Sequence, residues 1–444
     1  MNSVASDLGV PGEHPAGGRT RGTVFVPSPR ARIPGWRRLL SFAGPGYLVA
    51  VGYMDPGNWA TSLAAGSAFG YALLGVVLLA SLMAMLLQSA ALRLGAASGR
   101  DLAQACRLQF GPRVNLLLWA GCEIAIIATN LAEVLGMACG LRLLFDIPLP
   151  VGVGLTALDV MLVLALRRLG VRPLETFIIL LTAVIAGCLA AQLLWLRPPP
   201  REILAGFLPS AGMLARPDML YLGIGIIGAT VMPHNLYLHS AAVQSRGFER
   251  SDGGLRQAIR YATLDSNIAL TLALLVNVAI LVLAAGAFHR AGLAPVTGLG
   301  RAYRLLSPLL GVRAASVVFG VGLIASGLSS SITGTLAGQV VMEGFLDIRI
   351  SPGARALLTR GLAILPAAAA AIEFGSAGVG RLLVLSQVII GLQLPCAVLP
   401  LLWFTSRRAY LGPHAFRRPA ALALWSVAAL IIVLGSWAAC RLVV

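Results

Sequence analysis

The 444-residue sequence predicts an all-α integral membrane protein of about eleven transmembrane helices, built as an inverted repeat of spans 1–5 and 6–10. Three observations predict it. Hydrophobic residues make up 58% of the chain and charged residues only 11%, with a mean hydropathy of +0.85; a soluble protein of this size carries more charge to wet its surface. Apolar stretches of about 20 residues, the length that crosses a bilayer as a helix, recur from about residue 41 to the end. Two of these stretches are broken at matching places, by MDPGN at 54–58 and by VMPHN at 231–235.

Residues 1–38 are rich in Gly, Pro, Ser and Arg without periodicity, and read as a flexible, basic cytoplasmic tail ahead of a transmembrane domain over 39–444. No short apolar region with a cleavage site is seen there, so no cleaved signal peptide is expected. The spans read at about 41–68, 72–95, 114–141, 148–166, 173–196, 218–243, 262–288, 313–343, 355–372, 380–405 and 419–441. The net charge is +17, and all 34 basic residues are Arg. A pI near 11 would suit nucleic acid, but the arginines fall in short alternate loops instead. One side receives Arg37 and Arg38, then Arg100, Arg107 and Arg113, then Arg167, Arg168 and Arg172. Arg246, Arg250, Arg256 and Arg260 follow, then Arg349 and Arg355, then Arg407, Arg408, Arg417 and Arg418. Arg301 and Arg304 spoil a perfect asymmetry. The positive-inside rule puts the N-terminus in the cytoplasm and, with an odd number of spans, the C-terminus outside. The six cysteines are scattered, with no CxxC and no Cys/His cluster, and read as small membrane-core residues.

The breaks lie in span one and span six, five spans apart. Aligning them sets Pro56 on Pro233 and Asn58 on Asn235, with Asp55 on Met232 and Gly57 on His234. Proline removes a backbone donor and clashes with the preceding turn, so each helix opens. The freed carbonyls must line a protein cavity rather than face lipid. Gly/Pro-interrupted spans at equivalent places in two halves point to an inverted-repeat transporter with its site at the bilayer midplane. Asp55 and Asn58, three apart, can aim oxygens at one point, and an acid at membrane depth is a candidate functional group. Oxygens alone suit Mg²⁺ or Ca²⁺, whereas the Met232 thioether would favour a softer divalent ion. From the residues alone, Met232 is either a ligand or a packing methionine.

These residues resemble the signature of the NRAMP family. The likeness runs through DPGN in span one, ATVMPHN in span six, CEIAIIATNLAEVLG in span three, SSSITGTLAGQVVMEGF in span eight and LLVLSQVIIGLQLP in span ten. The resemblance implies a LeuT-like fold and proton-coupled import of transition metals across the bacterial cytoplasmic membrane by alternating access. It implies that Asp55 and Asn58 hold the metal by side chain, Met232 by sulfur and Ala229 by its carbonyl. Gln387 would join in some conformations, with Gln393 a weaker candidate. The methionine makes Mn²⁺ or Fe²⁺ the expected cargo. No cofactor is implied, since metal and protons are substrates. The partners expected are divalent ions, protons and the lipid bilayer, with no nucleic acid and no obligate protein partner.

A metal-bound carboxylate is deprotonated, so metal entry and proton release are linked at Asp55. His234 can titrate near neutral pH, and Glu123 and Glu133 are acids inside span three. The resemblance makes Glu133 a proton-path residue and Arg360 its electrostatic partner; His239, nearer the cytoplasmic exit, is a further candidate. The chain departs from the family pattern at Asn130, where an Asp is usual, and at Leu328, where a Gln is usual. An amide cannot carry a proton, so an altered proton stoichiometry or voltage dependence is expected.

Asp159 and Glu343 read as structural acids paired with neighbouring Arg, while Glu175 and Asp265 read as acids near cytoplasmic helix starts, favoured by the dipole. The chain is not expected to be an enzyme, since it has no HExxH, GxSxG or GxxxxGK[ST] motif. The alternative is a LeuT-fold symporter of a small organic solute such as an amino acid. There, half-helix N-termini meet a substrate carboxylate, which Asp55 would repel.

Overall fold

The structure, a computed structural model of the single chain, describes residues 24–26, 34–208, 212, 216–296, 298–348, 351–373 and 375–443. Among the described residues ten helices are long and apolar enough to cross a bilayer. Span one makes the eleventh in three pieces: helix Pro45–Ala50, a 3-10 turn Val51–Met54 and helix Pro56–Phe69. Span two is Leu74–Ser98, span three Pro112–Phe145, span four Leu149–Leu155 with Leu158–Leu169, and span five Val171–Leu196. Span six is Pro217–Val231 with Pro233–Ala242, followed by Asp252–Ala284, Ala314–Leu346, Pro352–Glu373, Gly375–Ser406 and Arg418–Val443 as spans seven to eleven.

Span seven begins at Asp252, well before the expected 262, because its first turns lie outside the apolar zone. Ser251 caps it, accepting from the Gly254 amide at 3.2 Å. Its exposed stripe then switches from Arg256 and Arg260 to Leu264 and Ile268. A four-residue spacing keeps these on one helix face, so the switch marks where that face enters lipid. Within the expected tail, Val24–Phe25 pairs in parallel with Arg246–Gly247. The helix Gly35–Phe42 leads into span one, with Phe42 buried and stacked on Tyr261 at 5.7 Å between centroids. The remainder of the tail lies outside the described residues.

The two halves pack as equivalents. Span two lies against seven, three against eight and four against nine; five meets eight just as ten meets three. The halves of span one meet those of span six in opposite order, Pro45–Ala50 beside Pro233–Ala242 and Pro56–Phe69 beside Pro217–Val231. Large apolar side chains such as Leu194, Leu365 and Leu422 point outward, as a lipid solvent permits. The interior instead gathers Asp55, Asn58, Glu133, Asp159, Gln387 and Arg360, all buried.

Candidate metal centre

Each break is built by its proline. Pro233 has no N–H to give the Ala229 carbonyl four residues back, and Pro56 likewise leaves the Gly52 carbonyl without its helical donor. In span one the chain turns extended at Asp55 (φ −64°, ψ 163°) and restarts as a helix capped by that residue. Asp55 Oδ1 accepts from the Asn58 backbone amide at 2.9 Å and from Asn58 Nδ2 at 2.7 Å. In span six Met232 takes φ 29°, ψ 103°. That region disfavours a side chain, and such strain gathers at functional sites.

The breaks then meet. Asn58 Nδ2 also donates to the Ala229 carbonyl at 2.8 Å, across 171 residues of sequence. Three of the sequence-derived ligands, Asp55, Asn58 and Ala229, therefore converge on one point. Turning the Asn58 amide about its last torsion would put Oδ1 where Nδ2 is, giving three oxygens aimed together. Asp55 Oδ2 accepts no hydrogen bond among the described residues. Gln387 on span ten packs its amide over Gly57, and a Cβ there would also stand 2.9 Å from Asp55 Oδ2. Gly228 on span six brings span ten close enough for this, since a Cβ on it would stand 2.9 Å from the Gly391 Cα.

Met232 is buried, its Sδ accepting from Asn235 Nδ2 at 3.5 Å. Asn235 also crowds Gly52, where a Cβ would lie 2.5 Å from Nδ2. The two asparagines are thus used alike. Each reaches back three residues, to Asp55 or to Met232, and across to the break of the other half. Sequence reading aligned Asn235 with Asn58 but left it out of the site; the alignment itself was the signal. Gln393, the weaker alternative to Gln387, lies instead against Gly121 of span three.

Two further carbonyls at the span-one break are sealed. Ser326 Oγ (2.5 Å) and Trp59 Nε1 (3.2 Å) donate to the Met54 carbonyl, and Asn277 Nδ2 donates to that of Tyr53 at 2.9 Å. Among the described residues no group of three or more His, Cys, Asp or Glu could hold a metal. The groups brought together, one carboxylate with an amide and a carbonyl, are less charged than a calcium or magnesium cage, and the Met232 sulfur is placed by its bond from Asn235 rather than by a contact with them.

The proton-path candidates divide into four places. His234 is buried at the start of the second half of span six, its Nδ1 accepting no bond among the described residues. Glu133 sits on span three, one turn from Gly136, whose face meets the Pro56 ring. Arg360 of span nine meets Glu133 Oε2 at 3.1 Å, Asn130 Oδ1 at 3.2 Å and Ser331 Oγ at 2.8 Å. It also pairs with Asp159 of span four, so the Arg expected for Asp159 is this one. Glu123 lies about 15 Å from Glu133 toward the N-terminal end of span three and pairs with Arg355 at 2.5 Å. His239 stands apart, in a chain from its Nδ1 to Gln88 Oε1 (2.8 Å) and from Gln88 Nε2 to the Tyr53 hydroxyl (2.5 Å).

One outer acid needs correction, and a second, near its helix start as expected, gains partners. Asp265 is not at the start of its own helix, which begins at Asp252. It caps span one instead, accepting from the amides of Gly46 at 2.7 Å and Gly44 at 3.4 Å. Glu175 meets Arg246 at 2.8 Å and Arg172 at 3.5 Å rather than serving a helix dipole alone.

A family model described as Nramp, natural resistance-associated macrophage protein-like, matches residues 46–440. The chain belongs to the Nramp family. It is 57% identical over 399 residues to the divalent metal cation transporter MntH of Bradyrhizobium diazoefficiens, covering 90% of this chain and 89% of that protein. The Mesorhizobium japonicum protein of the same name is 55% identical over 413 residues, with 93% and 90% covered. Among solved structures, the Eremococcus coleocola manganese transporter superposes with a TM-score of 0.86 at 37% identity, covering 94% of this chain and 88% of that one. MhsT, solved with L-phenylalanine, matches with a TM-score of 0.61 at 15% identity over 88% and 97% of the two chains. That likeness is one of fold alone: this Nramp protein has the LeuT-like inverted repeat, with spans one and six broken.

Proposed function

We propose that this protein imports Mn²⁺ and/or Fe²⁺ with protons across the bacterial cytoplasmic membrane by alternating access. The observation that carries the reading is the convergence of Asp55, Asn58 and the Ala229 carbonyl at two facing helix breaks, with Met232 as the last residue before Pro233. The names of the relatives, divalent metal cation transporter and manganese transporter, support it. The cargo would be held by Asp55, Asn58, Ala229 and Met232, with Gln387 joining from span ten. Binding of the ion requires Asp55 as the carboxylate, and the proton it gives up would leave through His234 and Glu133, with Arg360 as the electrostatic partner along that path. Glu123 and His239 are candidates further along the route.

The arginine distribution supports a cytoplasmic N-terminus. Metal ions, protons and the bilayer are the partners this function needs, and transport of this kind makes no covalent change, so no enzyme activity is proposed. An organic solute with a carboxylate is disfavoured because Asp55 caps the N-terminus that such a group would occupy.

The test is Mn²⁺ uptake into proteoliposomes with excess Mg²⁺ or Ca²⁺, comparing wild type with Met232→Ala. Wild type should move Mn²⁺ and reject Mg²⁺, and the variant should admit Mg²⁺, because loss of the soft donor leaves an oxygen set. No Mn²⁺ uptake by wild type would return the organic-solute reading.

A further inference from the structure

Asp159 is the buried acid of the central network that the proposed proton route leaves without a task. It stands on span four with 5% of its surface exposed. Both of its oxygens are held. Oδ1 accepts from Arg360 Nε at 3.2 Å, while Oδ2 pairs with Arg360 Nη2 and accepts from Ser331 Oγ at 2.6 Å. Glu133, 0% exposed, is held on one side only. Its Oε2 meets Arg360 Nη1 at 3.1 Å, and its Oε1 accepts no well-formed hydrogen bond among the described residues.

A charge count follows. One guanidinium faces two carboxylates, those of Asp159 from span four and Glu133 from span three. From the other elements packed here, span eight offers two neutral hydroxyls, Ser331 on Asp159 and Ser330 beside Glu133, and span three adds the neutral Asn130, its Oδ1 3.2 Å from Arg360 Nη1. The charged groups nearby are Asp55 on span one and the mutually paired Glu123 and Arg355 toward the N-terminal end of span three. Two carboxylates in a dry interior do not both stay ionised against one cation; the less firmly held one takes a proton.

We propose that Asp159 is the fixed counterion of Arg360, and that by holding the guanidinium charge it leaves Glu133 free to bind and release the transported proton. Asp159 is thus a positioning residue: it touches neither metal nor proton and acts through Arg360. It also supplies, from span four, the second carboxylate that position 130 does not.

The inference rests on the proton-coupled reading above, and its test separates the two. In proteoliposomes, proton flux and Mn²⁺ flux are measured together across a range of external pH. In Asp159→Asn the Arg360 charge falls wholly to Glu133 and fixes it ionised. The ratio of protons to Mn²⁺ should drop by about tenfold or more, and the pH dependence of uptake should flatten. The double variant Asp159→Asn with Asn130→Asp restores a carboxylate within reach of Arg360 Nη1, and should recover both readouts. An unchanged ratio and pH profile in Asp159→Asn would overturn the proposal, as would a well-folded double variant that stays uncoupled. Infrared difference spectroscopy of the wild-type protein needs no change at 159. A protonated-carboxyl band that persists in Asp55→Asn should vanish when Glu133→Gln is added, and its survival there would place the proton elsewhere and sink the idea. If wild type moves Mn²⁺ without protons, the coupled reading fails, whereas the infrared band still reports which carboxyl is protonated.

Discussion

Gly57 shows how much one missing atom can decide. It is the second residue of the helix Pro56–Phe69, and the Gln387 amide occupies the volume its Cβ would fill. No positive φ demands glycine here, and alanine is the better helix former by about 1 kcal/mol. Gly57→Ala should therefore leave thermal stability equal or higher while pushing the Gln387 amide away from the span-one break. If Gln387 is a ligand, displacing it by about an ångström costs up to a hundredfold, so Mn²⁺ uptake efficiency should fall between about tenfold and that limit. A thermal-unfolding scan beside an uptake assay reads the two effects separately. Normal uptake would remove Gln387 from the ligand set, and a lowered melting temperature would mean the glycine is there for packing alone.

At the scale of elements, the two prolines do the same work in opposite halves. Pro233 keeps the Ala229 carbonyl out of the helical ladder and available to Asn58 at 2.8 Å. Pro233→Ala supplies an N–H that can bond to that carbonyl, healing span six into a continuous helix. Removing an interior proline favours a helix by up to ~3 kcal/mol. The variant should thus be more stable and bind Mn²⁺ poorly, which isothermal titration and thermal unfolding would show together; undiminished Mn²⁺ affinity would mean the carbonyl is not a ligand. The breaks were legible because an acid, an amide and a proline inside an apolar run have no structural excuse in lipid. Their meeting was inferred only from the repeat, yet Asp55, Asn58 and Ala229 do converge. What the sequence could not disclose is pairing at long range. Asp159 is a lone acid in an apolar stretch, and nothing local says that its partner is Arg360, 201 positions on. Asp265 misled for a related reason: the polar first turns of span seven hid its true start, so an acid in mid-helix looked like one near the end. Gln387 and Gln393 differ by less than two turns, and only the close approach at Gly57 separates them.

Across the whole molecule the candidate metal centre lies buried between two cavities. One, of about 740 Å³, is lined by Pro45, Leu48, Leu238 and Leu336 on the side the arginines mark as cytoplasmic. The other, of about 620 Å³, is lined by Ala64, Phe69, Tyr221 and Arg381 on the opposite side. Asp55 is 0% and Asn58 2% exposed, so neither cavity reaches the ligands, and transport requires the walls to move in turn. The first half of span one is the wall with the most visible fastening. Arg246 donates to the carbonyls of Phe42 (3.2 Å) and Ala43 (2.7 Å) while paired with Glu175, and Asp265 holds the amides of Gly44 and Gly46. Arg246→Ala strips this pin and leaves Glu175 with Arg172 alone, at 3.5 Å. Losing one partner of a buried pair costs about 3 kcal/mol, and if that falls on the inward-closed state alone, the population shifts roughly a hundredfold toward inward-open. In a background without the native cysteines, Leu336→Cys should then react faster with a thiol reagent applied from the cytoplasmic side. Tyr221→Cys, on the far cavity, should react more slowly from outside, because alternating access ties the two openings together. A rise in cytoplasmic labelling with no fall outside would mean that the pin holds one wall without belonging to the switch. Unchanged labelling on both sides would place the moving parts elsewhere than at the first half of span one.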